Sequence, residues 1–485
     1  MTILLTIAIY FALLMVVARL TGKSGNDAFF RGNRQSPWFV VAFGMIGASI
    51  SGVTFVSVPG MVLSIDMTYM QMCIGFIFGY LIVAFVLLPL YYKHHLTSIY
   101  SYLGSRLGPR SYKTGASFFL LSKLTGAAAR LYLVCLILQE AVLDDLGIPF
   151  MLTVVGILLL IWLYTRRSGI RTLVWTDTLQ TFCMFAALIL ILWQAIRLLD
   201  MTAGEAVEAV ANDPKSRIFE FEDWTSKQYF WKQFLSGVFI VVVMTGLDQD
   251  MMQKNLTCKN LHEAKKDVCS YGFMFVPANL LFLSSGVVMT LLYAKTSTPL
   301  PENPDHLLTA FITQGKMGNA AMVLFSIGIV ASAFSSADSA LTALTTSFCI
   351  DILGIERKGS LYSRHPEQTR QWVHIAMMII FTLCILVFKA VNDTSVIDAV
   401  YTIAGYTYGP LLGLFAFGMF TRRPTKDQWV PFIAILSPLL CFAIERIAAS
   451  LYDYHFGYEL LMLNGMITFM GLCIGSMRYK CRIND

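Results

Sequence analysis

The sequence consists of a succession of apolar runs separated by short polar connectors. A helix needs about 20 apolar residues to cross the hydrocarbon core of a bilayer. Of the 485 residues, 56% are hydrophobic and only 14% are charged, and a single water-surrounded core stops growing near about 250–300 residues. We therefore predict an all-α integral membrane protein. Its thirteen predicted spans are 2–20, 38–63, 68–92, 115–142, 148–165, 172–198, 231–252, 268–294, 318–350, 371–391, 395–420, 428–451 and 458–477.

The connectors alternate between basic clusters and segments that are acidic or poor in Lys and Arg. Lys and Arg are concentrated in cytoplasmic loops, so the alternation predicts a multi-pass protein of the cell membrane with its N-terminus outside and its C-terminus in the cytoplasm. The same pattern argues against nucleic-acid binding. The largest outside connector, about 199–230, is acidic, and we expect it to lie at the membrane interface. The clusters predicted to lie inside include Lys93, Arg106, Arg110 and Lys113; Arg166, Arg167 and Arg171; and Lys254, Lys259, Lys265 and Lys266.

Several familiar signatures are absent from the sequence. The first run, 2–20, lacks a basic leader and a small-residue cleavage site, so we expect a retained helix. The ten cysteines form no CxxC pair and lie mostly in apolar runs, which favours a packing role. No metalloprotease, serine-hydrolase, Walker A or dinucleotide motif is present, so we do not predict an enzyme. Uphill transport without a nucleotide site would have to draw on an ion gradient.

The second span contains an unusual density of glycine and serine from Gly44 to Gly60. Several such residues at mid-membrane weaken a helix, and an unwound stretch at that depth exposes carbonyl groups that need a partner. Transporters build ion and solute sites from broken helices of this kind. Close helix packing by small residues is the alternative interpretation.

The ninth span presents four hydroxyls on one face, since Ser332, Ser335, Ser336 and Ser339 follow helical spacing. Hydroxyl and carbonyl oxygens are suitable ligands for a hard monovalent cation. Asp338 lies in the same apolar run, where a carboxylate is costly unless it faces a partner or an ion. A small-residue packing seam would account for the serines but not for Asp338.

Other charges inside the predicted spans outline a polar path through the protein. Any one of them has a second interpretation as a structural ion pair or an interface residue. They are Lys123 and Arg130 in the fourth span, Asp177 in the sixth, Asp248 and Asp250 in the seventh, and Asp398 in the eleventh.

Taken in order, several motifs resemble the sodium:solute symporter family, which includes carriers of proline, glucose, sialic acid and iodide. The resemblance covers nearly the whole chain. The matching pieces are FFRGNR at 29–34, ASIS at 48–51, VPG at 58–60, VWTD at 174–177, DQDMMQK at 248–254, the serine pair at 335–336 and YTYGPLLG at 406–413.

The resemblance implies a single transporter domain with a LeuT-like core of two inverted five-helix repeats. The first repeat would cover 38–198 and the second 231–420. An extra N-terminal helix at 2–20 and two C-terminal helices at 428–477 would complete the chain, and transport would proceed by alternating access.

The resemblance also implies a Na⁺ site between the second and ninth spans. Its ligands would be the carbonyl groups of Gly47, Ile50 and Ser332 and the hydroxyls of Ser335 and Ser336. This set agrees with the interpretation of the residues themselves, since a broken helix and a serine face both supply neutral oxygens.

Some members of the family resemble two-sodium carriers. The second ion would lie between Asp177 and hydroxyls one turn along the ninth span, here those of Ser335 and Ser339. This chain departs from that pattern at Asp338, where such members usually carry a hydroxyl. The added carboxylate has three open roles: binding a second cation, taking a proton, or neutralising Lys123 or Arg130.

The solute is expected beside the broken second span, with Arg130 holding a substrate carboxylate through two hydrogen bonds. Pairing of Arg130 with Asp338 is the alternative. The resemblance favours sialic acid or a related carboxylate or sugar, and amino acids stay open as an alternative. The residues expected at the solute are Ser49, Ser51, Thr54, Tyr69, Gln71 and Arg130.

The sequence therefore predicts Na⁺-driven uptake of a small polar solute, with Na⁺, the solute and the lipid bilayer as the only partners inferred. Two rival functions stay open. A membrane sensor with this fold would need a separate signalling partner, and a passive channel would conduct without coupling to Na⁺.

Overall fold

The computed structural model describes residues 2–22, 25–94, 96–139, 143–166, 169–357, 360–391 and 396–477. Helices dominate these ranges, because a membrane-embedded backbone satisfies its hydrogen bonds internally only in helices or closed barrels. An isolated bridge between Ser36 and Cys258 is the only β-pairing in the described ranges. The helices are α1 (Thr2–Thr21), α2 (Asn26–Arg31), α3 (Trp38–Ser49), α4 (Gly52–Met61), α5 (Tyr69–Ile82), α6 (Leu88–Lys93), α7 (Ser101–Arg106), α8 (Pro109–Leu138), α9 (Phe150–Thr165), α10 (Ile170–Leu198), α11 (Ala203–Asn212), α12 (Phe230–Val241), α13 (Gln249–Asn255), α14 (Leu261–Lys295), α15 (Leu307–Thr313), α16 (Gly318–Ser347), α17 (Pro366–Val391), α18 (Val396–Phe420), α19 (Val430–Tyr452) and α20 (Leu460–Met477).

Eight helices in the described part of the chain are long and apolar enough to cross a membrane, and eleven if each of three bent helix pairs is one span. Two further apolar helices, α9 and α20, fall below the length of a full span. The all-helical membrane architecture is as predicted, whereas the count of thirteen spans stays a prediction.

Two of the bent pairs form broken spans in the centre of the molecule. Helices α3 and α4 meet at 58°, and the helix from Phe230 to Gly246 meets α13 at 70°. The glycine- and serine-rich second span is therefore interrupted where the sequence predicted, between Ser49 and Gly52. Each break lies in the first span of a predicted repeat.

Close helix packing depends on glycines that admit a neighbouring backbone. A methyl group on Gly75 of α5 would lie 2.1 Å from the Phe234 carbonyl oxygen, and one on Gly237 of α12 would lie 2.2 Å from the Met72 carbonyl oxygen. These two helices therefore touch backbone to backbone, which small residues allow in membranes. Helix α10 packs on both α3 and α16, which brings the candidate site residues together.

The largest predicted outside connector folds against the helices. Thr202 and Glu205 form a reciprocal capping box at the start of α11, which satisfies two backbone donors. The Gln71 side chain donates to the Gln228 carbonyl at 2.8 Å and accepts from the Glu220 amide at 3.0 Å. The far end of the connector is thereby tied to α5.

Candidate ion and solute site

The break between α3 and α4 exposes backbone oxygens in the interior of the protein. Ile50 leaves the helical region with φ −84° and ψ 88°, and Ser51 is extended before α4 begins. The last carbonyl groups of a helix lack partners within it, so Gly47 and Ile50 lie where carbonyl oxygens become available. Ile50 and Ser51 are both buried.

Helix α16 approaches this break at Ser332. A methyl group on Gly52 would lie 3.4 Å from Ser332 Oγ, so the start of α4 approaches the serine face directly. Ser335 Oγ donates to Asp177 Oδ1 at 2.9 Å. Ser336 Oγ is buried without a hydrogen-bond partner in the described part of the chain. An unpartnered buried hydroxyl is costly, and a cation held by neutral oxygens would satisfy it.

The chemistry of these donors therefore fits a Na⁺ ion. The structure brings the second-span break and Ser332 into proximity, as the sequence predicted. The individual ligand assignments of Gly47, Ile50, Ser332, Ser335 and Ser336 stay predictions.

Asp177, predicted as part of a second cation site, already has a cation beside it. Lys254 Nζ lies 2.7 Å from Asp177 Oδ2, and both side chains are only 1% exposed. The connector charges predict Lys254 in a cytoplasmic connector, and that prediction is wrong, because α13 turns inward after the second break and Lys254 is buried. One signal for a buried Lys254 was present in the sequence. Lys254 lies about one helical turn after Asp250, close to the charges that were predicted inside the seventh span.

Asp338 is fully buried and accepts hydrogen bonds from two hydroxyls. Tyr164 Oη donates to Asp338 Oδ2 at 2.5 Å, and Ser339 Oγ donates to Oδ1 at 3.3 Å. Neither Lys123 nor Arg130 pairs with Asp338 in the described residues. The structure therefore contradicts the pairing of Asp338 with Lys123 or with Arg130.

Lys123 instead neutralises the carboxylates of the second break. Its ammonium lies 2.6 Å from Asp250 Oδ2 and 3.3 Å from Asp248 Oδ2. Tyr408 Oη donates to Asp248 at 2.5 Å, while Asp248 also accepts the Asp250 and Met251 amides as the N-cap of α13. The predicted polar path is thus a buried ion-pair network at this point. The Asp398 side chain lies outside the described residues.

A central cavity lies beside the first break and the Lys123 network. Ser49 and Arg130, both predicted at the solute, are in its lining. The Arg130 guanidinium makes no ion pair or hydrogen bond to the described residues. The other lining residues include Phe76, Tyr80, Lys123, Thr245, Asp248, Phe275, Tyr401 and Tyr408.

The remaining solute predictions lie outside this lining. Ser51 and Thr54 are buried at the start of α4, and Gln71 holds the outer connector. Tyr69 Oη hydrogen-bonds Tyr401 Oη at 2.9 Å. Tyr401 lines both the central cavity and a second, outer cavity, so this tyrosine pair belongs to the wall between them.

Most of the aromatic residues in the cavity lining were not predicted from the sequence. Phe76 and Tyr80 are one helical turn apart on α5 and share a face. The sequence shows this spacing, but an aromatic face of this kind can point to a cavity or to lipid.

The architecture is that of a helical membrane protein with two broken spans, and transporters build ion and solute sites from such breaks. The family model described as "Sodium:solute symporter family" matches residues 29–428. The chain belongs to the sodium:solute symporter family, and it is a Na⁺-coupled carrier of a small solute, not an enzyme.

Relatives and solved structures agree with this family. The chain is 24% identical over 465 residues to the sodium/sialic acid symporter SiaT of Proteus mirabilis, which covers 92% of this chain and 90% of that protein. It is 25% identical over 476 residues to the sodium/sialic acid symporter NanT of Aliivibrio fischeri, with coverages of 96% and 90%. A solved structure of a substrate-bound, outward-open Na⁺-coupled sialic acid symporter matches with a TM-score of 0.82 at 22% identity and covers 99% and 98% of the two chains. The LeuT-like fold expected from the sequence is thereby confirmed.

Proposed function

We propose that this carrier takes up a small solute bearing a carboxylate, most directly sialic acid or a related acid, together with Na⁺. The observation that carries the proposal is the Arg130 guanidinium, which lines the central cavity and makes no hydrogen bond or ion pair to the described residues. A guanidinium in a membrane interior needs an anion, and its fork geometry matches a carboxylate.

The cavity supplies the other features of a site for a polar acid. Lys123 adds a second positive charge to the lining, although Asp248 and Asp250 neutralise it. Ser49 and Thr245 offer hydroxyls, and Phe76 and Tyr80 offer aromatic walls. Two of the relatives are named sodium/sialic acid symporters, and others are named for monocarboxylates and iodide, which supports an anionic solute.

Coupling would arise because ion and solute share the first broken span. The carbonyl groups of Gly47, Ile50 and Ser332 and the hydroxyls of Ser335 and Ser336 would hold Na⁺. Ser49, the last residue of α3, adjoins the same break and lines the solute cavity. Fixing the break against α16 would therefore fix Ser49 at the solute, so that the inward Na⁺ gradient would drive uptake of the solute.

The predicted placement in the cell membrane, with the N-terminus outside and the C-terminus inside, belongs to this proposal and rests on the alternating connector charges. So do the repeats at 38–198 and 231–420. We propose that the carrier works in the bilayer without an obligatory protein or nucleic-acid partner.

The test is uptake of radiolabelled N-acetylneuraminate into liposomes that contain the purified protein. We expect accumulation above the external concentration with an inward Na⁺ gradient and none with K⁺, which also separates a carrier from a sensor or a channel. Arg130→Met should abolish accumulation, whereas Arg130→Lys should retain part of it with at least a 10-fold higher half-saturating concentration. Uptake by Arg130→Met equal to that of the wild type would refute the assignment of Arg130.

A further inference from the structure

We propose that the ammonium of Lys254 is a built-in cation that occupies the position beside Asp177, so that this carrier binds one Na⁺ and not two. The inference builds on the Na⁺ site proposed at the first break. It concerns only the second position, which the sequence had assigned to Asp177, Asp338 and Ser339.

Both carboxylate oxygens of Asp177 are already engaged. Oδ2 is 2.7 Å from Lys254 Nζ, and Oδ1 accepts the Ser335 hydroxyl at 2.9 Å. The Gln180 amide, in its better-bonded orientation, also donates to Oδ1 at 3.1 Å. A second Na⁺ at Asp177 would have to displace this lysine or sit within a few ångströms of its charge, and two like charges so close repel strongly in a low-dielectric interior.

Asp338 and Ser339 already have protein partners. The two oxygens of Asp338 accept the Tyr164 and Ser339 hydroxyls, so this carboxylate has hydrogen-bond donors without a bound cation. Among the predicted cation ligands with hydroxyl groups, only Ser336 has a buried oxygen without a hydrogen-bond partner in the described residues. That oxygen belongs to the first site.

The lysine is held in place by its own helix. Asp248 caps the start of α13. Immediately before Lys254, the Gln253 side chain donates to the Phe30 carbonyl at 2.7 Å and to Thr346 Oγ1 of α16 at 3.2 Å. Because both ends of α13 are anchored, the Lys254 ammonium is already held beside Asp177, and no side-chain entropy has to be lost there in each transport cycle.

The consequence is a defined charge balance. A carrier that moves one Na⁺ with one monoanionic carboxylate transfers no net charge, provided that Lys254 stays with the protein. Two ions would make the same cycle electrogenic. Lys254 therefore determines both the ion count and the voltage dependence.

The test is the number of ²²Na⁺ ions bound per purified protein at saturating NaCl, without solute. We expect one for the wild type, one for Lys254→Arg, which keeps the charge, and two for Lys254→Met, which leaves Asp177 free. Ser336→Ala should bind none, or bind at least 10-fold more weakly.

Two ions on the wild type, or one tightly bound ion on Ser336→Ala, would overturn the inference and leave the proposed uptake function intact. Unchanged stoichiometry in a folded Lys254→Met protein would also overturn it. If Lys254→Met does not fold, the wild-type and Ser336→Ala values decide alone. No binding to the wild type would instead refute the Na⁺ site on which the proposed function depends.

Discussion

The two broken spans of this protein are built from opposite chemistry. The break between α3 and α4, at residues 50–51, contains no charged side chain. At the second break, Asp248 is the N-cap of α13, Asp250 lies in the first turn of that short helix, and Lys254 lies in its last turn. The first break leaves oxygens without fixed partners, whereas both carboxylates of the second are paired with Lys123.

This difference in charge suits the first break to a cation that can leave, and the second break to the permanent charge of a lysine. Neutral carbonyl and hydroxyl oxygens hold a small cation without a fixed charge of their own, so the ion can leave. Buried carboxylates need a counter-charge at all times, because removing one partner of a buried pair is strongly destabilising. The first break is therefore suited to coupling, and the second to holding the bundle together.

The largest effect should come from removing the lysine that neutralises the second break. Lys123→Met leaves Asp248 and Asp250 without their ion pair, and we expect a loss of about 3–5 kcal/mol of stability, measured as the thermal unfolding of the detergent-solubilised protein. Lys295→Met is the matched control, because Lys295 and its partner Asp200 are exposed. Equal stability of the two variants would contradict a structural role for the second break.

The next largest effect should be a difference in stability between alanine substitutions at the two glycines that precede the breaks, Gly47 and Gly246. A methyl group on Gly47 would lie 1.9 Å from Thr181 Oγ1 and 3.1 Å from Thr181 Cα, whereas one on Gly246 would meet the tip of Leu87 at 2.3 Å. Overpacking costs about 1–3 kcal/mol, and a side-chain tip relaxes more easily than a backbone.

We therefore expect Gly47→Ala to be destabilised more than Gly246→Ala, and to bind Na⁺ more weakly as well. Gly156→Ala, with no atom within 4 Å of the added methyl group, is the control and should be neutral or slightly stabilised. If Gly246→Ala were the less stable of the two, the tight packing of α3 on α10 would not be what shapes the first break.

A smaller, purely functional effect is expected on α16. Ser336→Ala removes the unpartnered hydroxyl and should raise the half-saturating Na⁺ concentration about 10-fold or more, equivalent to about 1.4 kcal/mol, while the thermal stability without Na⁺ stays unchanged. Ser326→Ala is the control, because that hydroxyl bonds its own helix at the Met322 carbonyl. An unchanged Na⁺ requirement in Ser336→Ala would remove Ser336 from the site.

The first break was predictable from the sequence, and the second was not. Glycine and serine at 44–54 weaken a helix wherever it lies, and the serine spacing on α16 fixes a shared face, so both signals are local. The burial of Lys254 depends on the 70° bend at residues 247–248, which turns a segment that resembles a basic connector into the interior. Gln71 was misplaced for a related reason, since only the fold of the outer connector decides whether α5 faces the cavity there.

The smallest effect should come from the outer connector, which touches neither break. Gln71→Ala removes the bonds to the Gln228 carbonyl and the Glu220 amide, at a cost of about 0.5–1.5 kcal/mol. Because those bonds hold only the connector, trypsin should cut faster near Arg217 while Na⁺ binding at the first break stays unchanged. Gln314→Ala, at an exposed helix end, should leave the cleavage rate as it is. Weaker Na⁺ binding in Gln71→Ala would show that the outer connector influences the first break. The exchangeable Na⁺ would then depend on the connector as well as on the two helices that meet at the break.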